Sequence, residues 1–254
     1  MSDVWNELAE LIEGARAGGY LLEARTPAEM PQDIADCYFV QDRAIALSGV
    51  TPRAWKLGAP ALAGQAAMGL VEPFSGPVLP DMLLASPAAI ATGEFSCHKF
   101  EPEVAITLGR AIDGPISLDE ARSAIASYHP AIEILNFRSE GGFSLGAKGM
   151  IADLGANGAL ILGAAIPAGV YDYAALTLDV RINGQSVAGR NPPPPETDPA
   201  ALLAWFSGHA AARGLSLPAG TVITTGSQAG VLPYAAGDLI EVDFGAAGIA
   251  AAQC

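Results

Sequence analysis

A chain of 254 residues that is 51% hydrophobic can build one substantial core, and a formal net charge of −14 with only 13 Lys and Arg argues against a nucleic-acid or anionic-membrane partner. No apolar run approaches the roughly 18–20 residues of a membrane-spanning helix. The acidic, amphipathic start MSDVWNELAELIEGARAGGY lacks the basic head and apolar middle of a signal peptide, so a cytoplasmic protein is expected.

In chain order, residues 2–17 and about 28–47 carry helical periodicity. In the second segment Ile34, Tyr38, Gln41 and Ile45 share a stripe, with Pro31 in the opening turn. RAWKLG at 53–58 reads as a short strand, followed by a loop-rich stretch through GLVEPFSGPVLPDM. From about residue 88 strands dominate. Ser117-Leu118-Asp119-Glu120 is a capping-box pattern that opens a helix to about Tyr128. Strands are expected at 130–135, 159–163 and 175–182, with Asn183-Gly184 as a type I′ hairpin signal. RNPPPPETDP, 190–199, reads as a stiff extended segment. It delivers a helix with Asp198 or Thr197 as N-cap and Pro199 at its first position, ending near Arg213-Gly214. TVITTG, GDLIEVDFG and GIAAAQ alternate strands with turns to the end. No internal repeat or linker interrupts the chain. The expectation is a single α+β domain over 1–254, with a helical portion (1–50) and a β-rich core (51–254) built on a mixed, mostly antiparallel sheet.

Four charged residues break the apolar logic of these strands. Glu101 and Glu103, in FEPEVAITLGR, stand two apart and so share one strand face, where like charges repel unless solvent or a cation neutralises them. Glu133 interrupts AIEIL, and Lys56 lies within AWKLG. Three converging carboxylates would make a hard, oxygen-rich site suited to Mg²⁺ or Mn²⁺. Zinc fits poorly, because His98, His129 and His209 lack ligand spacing and Cys37, Cys97 and Cys254 are scattered without a CxxC pair. His98 and His129 are read as structural. Spacing alone leaves open a solvated strand face, a paired core charge at Glu133 and a Lys56 that snorkels to water.

Seven segments in order resemble the 2-oxopent-4-enoate hydratase / 4-oxalocrotonate decarboxylase family, within the fumarylacetoacetase-like superfamily. They are QDIADCYFVQ, RAWKLG, FEPEVAITLGR, YHPAIEI, IADLGANGALILG, LLAWFSGHAAARGLSLPAGTVITTGS and AGDLIEVDFG. The resemblance implies a β-roll of the fumarylacetoacetase C-terminal type, Mg²⁺ or Mn²⁺, a small anionic 2-oxo acid as substrate and a homo-oligomer. It implies Glu101, Glu103 and Glu133 as metal ligands, and Lys56 and Asp153 as catalytic. Arg138, Thr225 and Ser227 are implied at the substrate. The implied reaction adds water to a short 2-hydroxy-2,4-dienoate, or its 2-oxo-4-enoate tautomer, to give a 4-hydroxy-2-oxo acid in aromatic meta-cleavage catabolism. The alternatives are decarboxylation of a 4-oxalocrotonate-type diacid and a non-catalytic binding or partner subunit. The chain departs from the family pattern EIVDSR, having Asn136 for aspartate and Phe137 for serine but keeping Arg138. Leu154 replaces an asparagine after IAD, Asp198 stands where histidine is common, and prolines 192–195 fill a Gly/Ser-rich loop.

Overall fold

The structure is a computed structural model that describes residues 3–91, 93–170, 172–173, 175–189 and 197–254; the proline run lies outside them. Helix α1 (Asp3–Gly18) turns Leu8, Ala9, Ile12 and Ala15 inward at helical spacing. It packs on α2 (Ile34–Ser48), whose Cys37, Val40 and Ala44 complete that core. The second helix starts later than expected. Pro27–Glu29 forms a separate turn, and Met30 before Pro31 is extended, because a residue preceding proline is pushed out of the helical region. Pro31 therefore precedes the helix rather than opening it.

Strand β1 (Ala54–Gly58) follows, then α3 (Leu62–Met68) and β2 (Phe74–Val78). The loop-rich expectation for this stretch is corrected. Pro77 sits in β2, which is an edge strand, and there a missing N–H removes no ladder bond. Short strands β3 (Leu83–Ala85) and β4 (Ala88–Ala89) lead to the long β5 (Lys99–Leu108). Helix α4 (Leu118–Ala124) carries the expected capping box, with Ser117 Oγ accepting from Glu120 N–H. It ends earlier than Tyr128. The run from Ile125 pairs with β5 instead, so β6 spans Ile125–Leu135. There follow α5 (Gly146–Ala152), β7 (Asn157–Leu162), β8 (Ile166–Pro167), β9 (Asp179–Ile182) and β10 (Gln185–Gly189). The β9–β10 hairpin turns at Asn183 and Gly184, both with positive φ (52° and 77°), as a type I′ turn requires. Helix α6 (Pro199–Ala212) is capped by Asp198, which accepts from Ala200 N–H at 2.8 Å. Strands β11 (Val222–Ser227), β12 (Leu232–Pro233), β13 (Leu239–Asp243) and β14 (Ile249–Gln253) close the chain.

The strands form two mixed, mostly antiparallel sheets in an α+β fold. The larger runs β2-β1-β11-β5-β6-β7-β3, with β12 and β8 attached to β5 and β6. It curls like a half-barrel. The smaller runs β10-β9-β13-β14-β4. Alternation decides which face does what. On β5 and β6, Phe100, Val104, Ile132 and Ile134 pack against Val180, Ile240 and Val242 of the smaller sheet and Phe244 just after β13. Further along, Ile106 and Leu108 join Trp55, Leu57 and Phe206 under α4 and α6. The opposite, concave face holds a small apolar core of Ala54, Ala105, Ala131 and Leu160. Glu101, Glu103, Glu133 and Lys56 share the strand parity of that concave face. Among the described residues no helix is long and apolar enough to cross a membrane.

Candidate active site

Register brings the carboxylates together. Glu101 on β5 stands directly opposite Glu133 on β6, and Glu103 follows two residues along. One oxygen from each lies within 4.8 Å of the others. Glu103 and Glu133 are fully buried, and Glu101 is half-buried at the cavity wall. At an effective dielectric of about 20, two unit charges at that separation repel by roughly 3 kcal/mol, and three carboxylates make three such pairs. The titrations carry the same message. Burial, and then the charge of Glu133, pushes Glu101 up to about 7, with Lys56 opposing. Burial, then Glu133 and Glu101, raises Glu103 well above the usual carboxylate range against a hydrogen bond from Thr224.

One positive charge answers them. Lys56, buried on β1, holds its Nζ 3.4 Å from Glu133 Oε1 and 4.9 Å from the centre of the Phe74 ring. It does not snorkel to water. Gly155, at φ 72°, leaves it room, since a Cβ there would lie 3.0 Å from Lys56 Cε. With all three ionised, the carboxylates less one ammonium carry a net charge of −2.

The donor atoms fit a divalent cation. Asn157 Nδ2 donates to Glu133 Oε1 at 3.0 Å, and Gly226 N–H donates to Glu103 Oε2 at 3.0 Å. The second oxygens, Glu133 Oε2 and Glu103 Oε1, are buried with no hydrogen-bond partner among the described residues. Buried polar atoms ordinarily find partners. Here each carboxylate is steered by a donor on one oxygen and leaves the other free, as hard-metal ligation by oxygen requires. Gly226 reaches Glu103 because β11 bulges between Thr224 and Ser227, placing Gly226 at φ 83° against Pro60.

The remaining sequence-derived residues separate into two groups. Ser227 lines the adjoining cavity of about 670 Å³, although its hydroxyl donates to Gly230 O at 2.8 Å. Thr225, Arg138 and Asp153 do not line it. Thr225 Oγ1 donates to Val104 O, tying β11 to β5. Asp153 accepts from Arg138 N–H at 2.8 Å and meets its guanidinium at 3.5 Å. That guanidinium donates in turn to the carbonyl of Asn157, the residue that steers Glu133. Asp153 and Arg138 thus lie outside the lining of that cavity and brace Asn157.

The departures from the family pattern also point away from the carboxylates. Asn136 Oδ1 accepts from the N–H and hydroxyl of Ser96, and Leu154 is buried at φ 51° in the helical core. Phe137 packs edge-on to Phe143, a wall residue, with ring centres 4.8 Å apart. His129 is held between Gly163 O and Thr107 Oγ1, and His98 stacks on Tyr234. Sequence reasoning missed Asn157, Phe74, Thr224 and the Gly226 N–H. The asparagine sits at a strand start, where a turn role is the default, and a backbone donor leaves no side-chain signature.

Known proteins resemble this chain over nearly its full length. The model of the fumarylacetoacetate (FAA) hydrolase C-terminal family matches residues 66–254. A 2-keto-4-pentenoate hydratase of Dechloromonas aromatica is 26% identical over 249 residues, covering 93% of this chain and 91% of its own. A 4-oxalocrotonate decarboxylase of Pseudomonas sp. strain CF600 is 27% identical, with 93% and 91% covered. The solved 4-oxalocrotonate decarboxylase of Pseudomonas putida G7, complexed with magnesium and adipate, superposes with a TM-score of 0.85 at 25% identity, covering 98% of this chain and 96% of that one.

Proposed function

This chain belongs to the fumarylacetoacetate hydrolase C-terminal family, and on that premise we propose that it is a metal-dependent hydro-lyase. It adds water to a 2-hydroxy-2,4-dienoate to give a 4-hydroxy-2-oxo acid, a step of aromatic meta-cleavage catabolism. The observation that carries the reading is the pair of orphaned oxygens on Glu103 and Glu133, beside Glu101 and a buried ammonium.

Glu101, Glu103 and Glu133 would hold the cation, Mg²⁺ or Mn²⁺. When bound, it supplies positive charge for an anionic acid and polarises the C2 oxygen as a Lewis acid. Asn157 and Gly226 N–H keep two of the carboxylates aimed. Lys56 is the proton carrier. Its ammonium delivers a proton to C5 of the dienol, and the resulting amine accepts the proton leaving the 2-hydroxyl. The product of that exchange is a 2-oxo-3-enoate. Water then adds across C3–C4, oxygen to C4 and hydrogen to C3. The apolar walls of the cavity, among them Phe74, Leu135 and Met150, keep bulk water from the dienol during the exchange. Asp153 and Arg138 hold the segment that carries Asn157.

The chain acts in the cytoplasm as a homo-oligomer under this reading. Sedimentation of the purified protein tests the oligomer.

The enzyme reading is tested with the metal-loaded protein and freshly generated 2-hydroxypenta-2,4-dienoate. Loss of dienoate absorbance with formation of 4-hydroxy-2-oxopentanoate is expected. Release of CO₂ from an oxalocrotonate-type diacid without hydration, or binding without turnover, overturns it.

A further inference from the structure

We propose that the cavity beyond the carboxylates selects a 2-oxo acid bearing one carboxylate and a bulky apolar tail, and discriminates against dicarboxylates. This rests on the hydratase reading and names its substrate class.

The cavity, about 670 Å³, is far larger than a five-carbon acid needs. Among the described residues, charge in the lining is confined to the end where Lys56 and Glu101 lie. The other walls come from Pro60, Met68, Phe143, Met150 and Val231, supplied by the β1–α3 connection, α3, the loop before α5, α5 and the loop before β12. Among the described residues Lys56 is the single cation in the lining, and Glu133 already engages it. Two of the three uncharged polar side chains that the described residues place in the lining, Ser227 and Gln228 beside Thr197, are also committed. Ser227 donates to Gly230 O, and Gln228 donates to Gly226 O while accepting from Tyr173. An outlying ammonium, Lys99, is stacked 4.7 Å over the ring of Phe143 and is not part of the wall.

A second carboxylate entering this end of the cavity would lose water and meet no counter-charge among the described residues, which penalises binding strongly. An alkyl or aryl tail meets methyl, thioether and ring surfaces, each buried methylene strengthening binding roughly fourfold. The similar proteins named above include one whose name specifies a diacid and one whose name specifies a five-carbon monoacid, so membership in the family leaves the point open.

The test compares three substrates with the Mg²⁺-loaded protein: 2-hydroxypenta-2,4-dienoate, its 5-butyl homologue and 2-hydroxyhepta-2,4-dienedioate. The 5-butyl compound is expected to exceed the unsubstituted acid in kcat/KM by about tenfold or more and the diacid by about a hundredfold. A diacid used as well as the butyl compound overturns the inference. Met68→Arg and Val231→Arg each place a cation in the apolar wall. At least one is expected to raise the diacid-to-monoacid ratio by about tenfold, and an unchanged ratio in both counts against the inference. If none of the dienoates turns over, the hydratase reading falls by itself. Calorimetry with 2-oxooctanoate and 2-oxoadipate then still decides this point: tighter 2-oxooctanoate supports it, and tighter 2-oxoadipate overturns it.

Discussion

Two groups of buried charge lie close together and serve opposite ends. Behind the site, Arg138 and Asp153 balance each other, one cation against one anion, and both reach backbone groups. At the site, Glu101, Glu103 and Glu133 face a single Lys56, with two oxygens left unpartnered. The balanced pair fixes the chain, whereas the unbalanced cluster invites a cation of charge +2. Burial alone does not mark a functional charge. What marks it is residual charge together with free ligand atoms that meet no cation, since Asp153 Oδ1 also lacks a hydrogen bond but faces Arg138 at 3.5 Å.

Glu103→Gln breaks the unbalanced member most severely. Turnover is expected to fall by about a thousandfold or more as a carboxylate ligand becomes a neutral amide, with metal affinity falling in calorimetry. Lys56→Ala is expected to slow tautomerisation by about a hundredfold or more while metal still binds. Unchanged tautomerisation would remove Lys56 from the mechanism.

The balanced pair is expected to respond differently. Asp153→Asn strands a buried guanidinium and should destabilise the fold by about 3–5 kcal/mol in denaturant unfolding, with the folded fraction still binding metal. Loss of metal binding at full stability would contradict its bracing role.

The smallest effect is on pH. Glu101 ionises near 7 in the folded chain, against an ordinary value of 4.5. The folded state therefore keeps a proton that the unfolded state has lost between those values. Metal-free stability is expected to fall as pH rises from about 4.5 to about 7, and Mg²⁺ should oppose the fall, since cation binding favours the ionised carboxylate. Melting curves with and without Mg²⁺ check both signs.

Local signals in the sequence located much of the fold. Asn183-Gly184, the Ser117–Glu120 box and Asp198-Pro199 each act within a few residues, and each stands where its chemistry places it. The edge strand β2 escaped because Gly76 and Pro77 read as breakers. Its Gly76 is needed where the backbone passes Leu154, whose carbonyl a Cβ would approach to 2.7 Å. For the site, alternation put Glu101 and Glu103 on one face, but the meeting with Glu133 depends on strand register across the sheet. That register is a tertiary fact, and only family resemblance suggested it. The resemblance also implied roles at the substrate for Arg138 and Asp153, whose side chains pair with each other outside the lining of the cavity.

The central claim is that three strand carboxylates converge on one divalent ion. Anomalous diffraction from crystals grown with Mn²⁺ tests it most directly. The account predicts a peak in contact with Glu103 Oε1 and Glu133 Oε2 and within reach of Glu101. A bound manganese elsewhere, with those oxygens still unengaged, would contradict it.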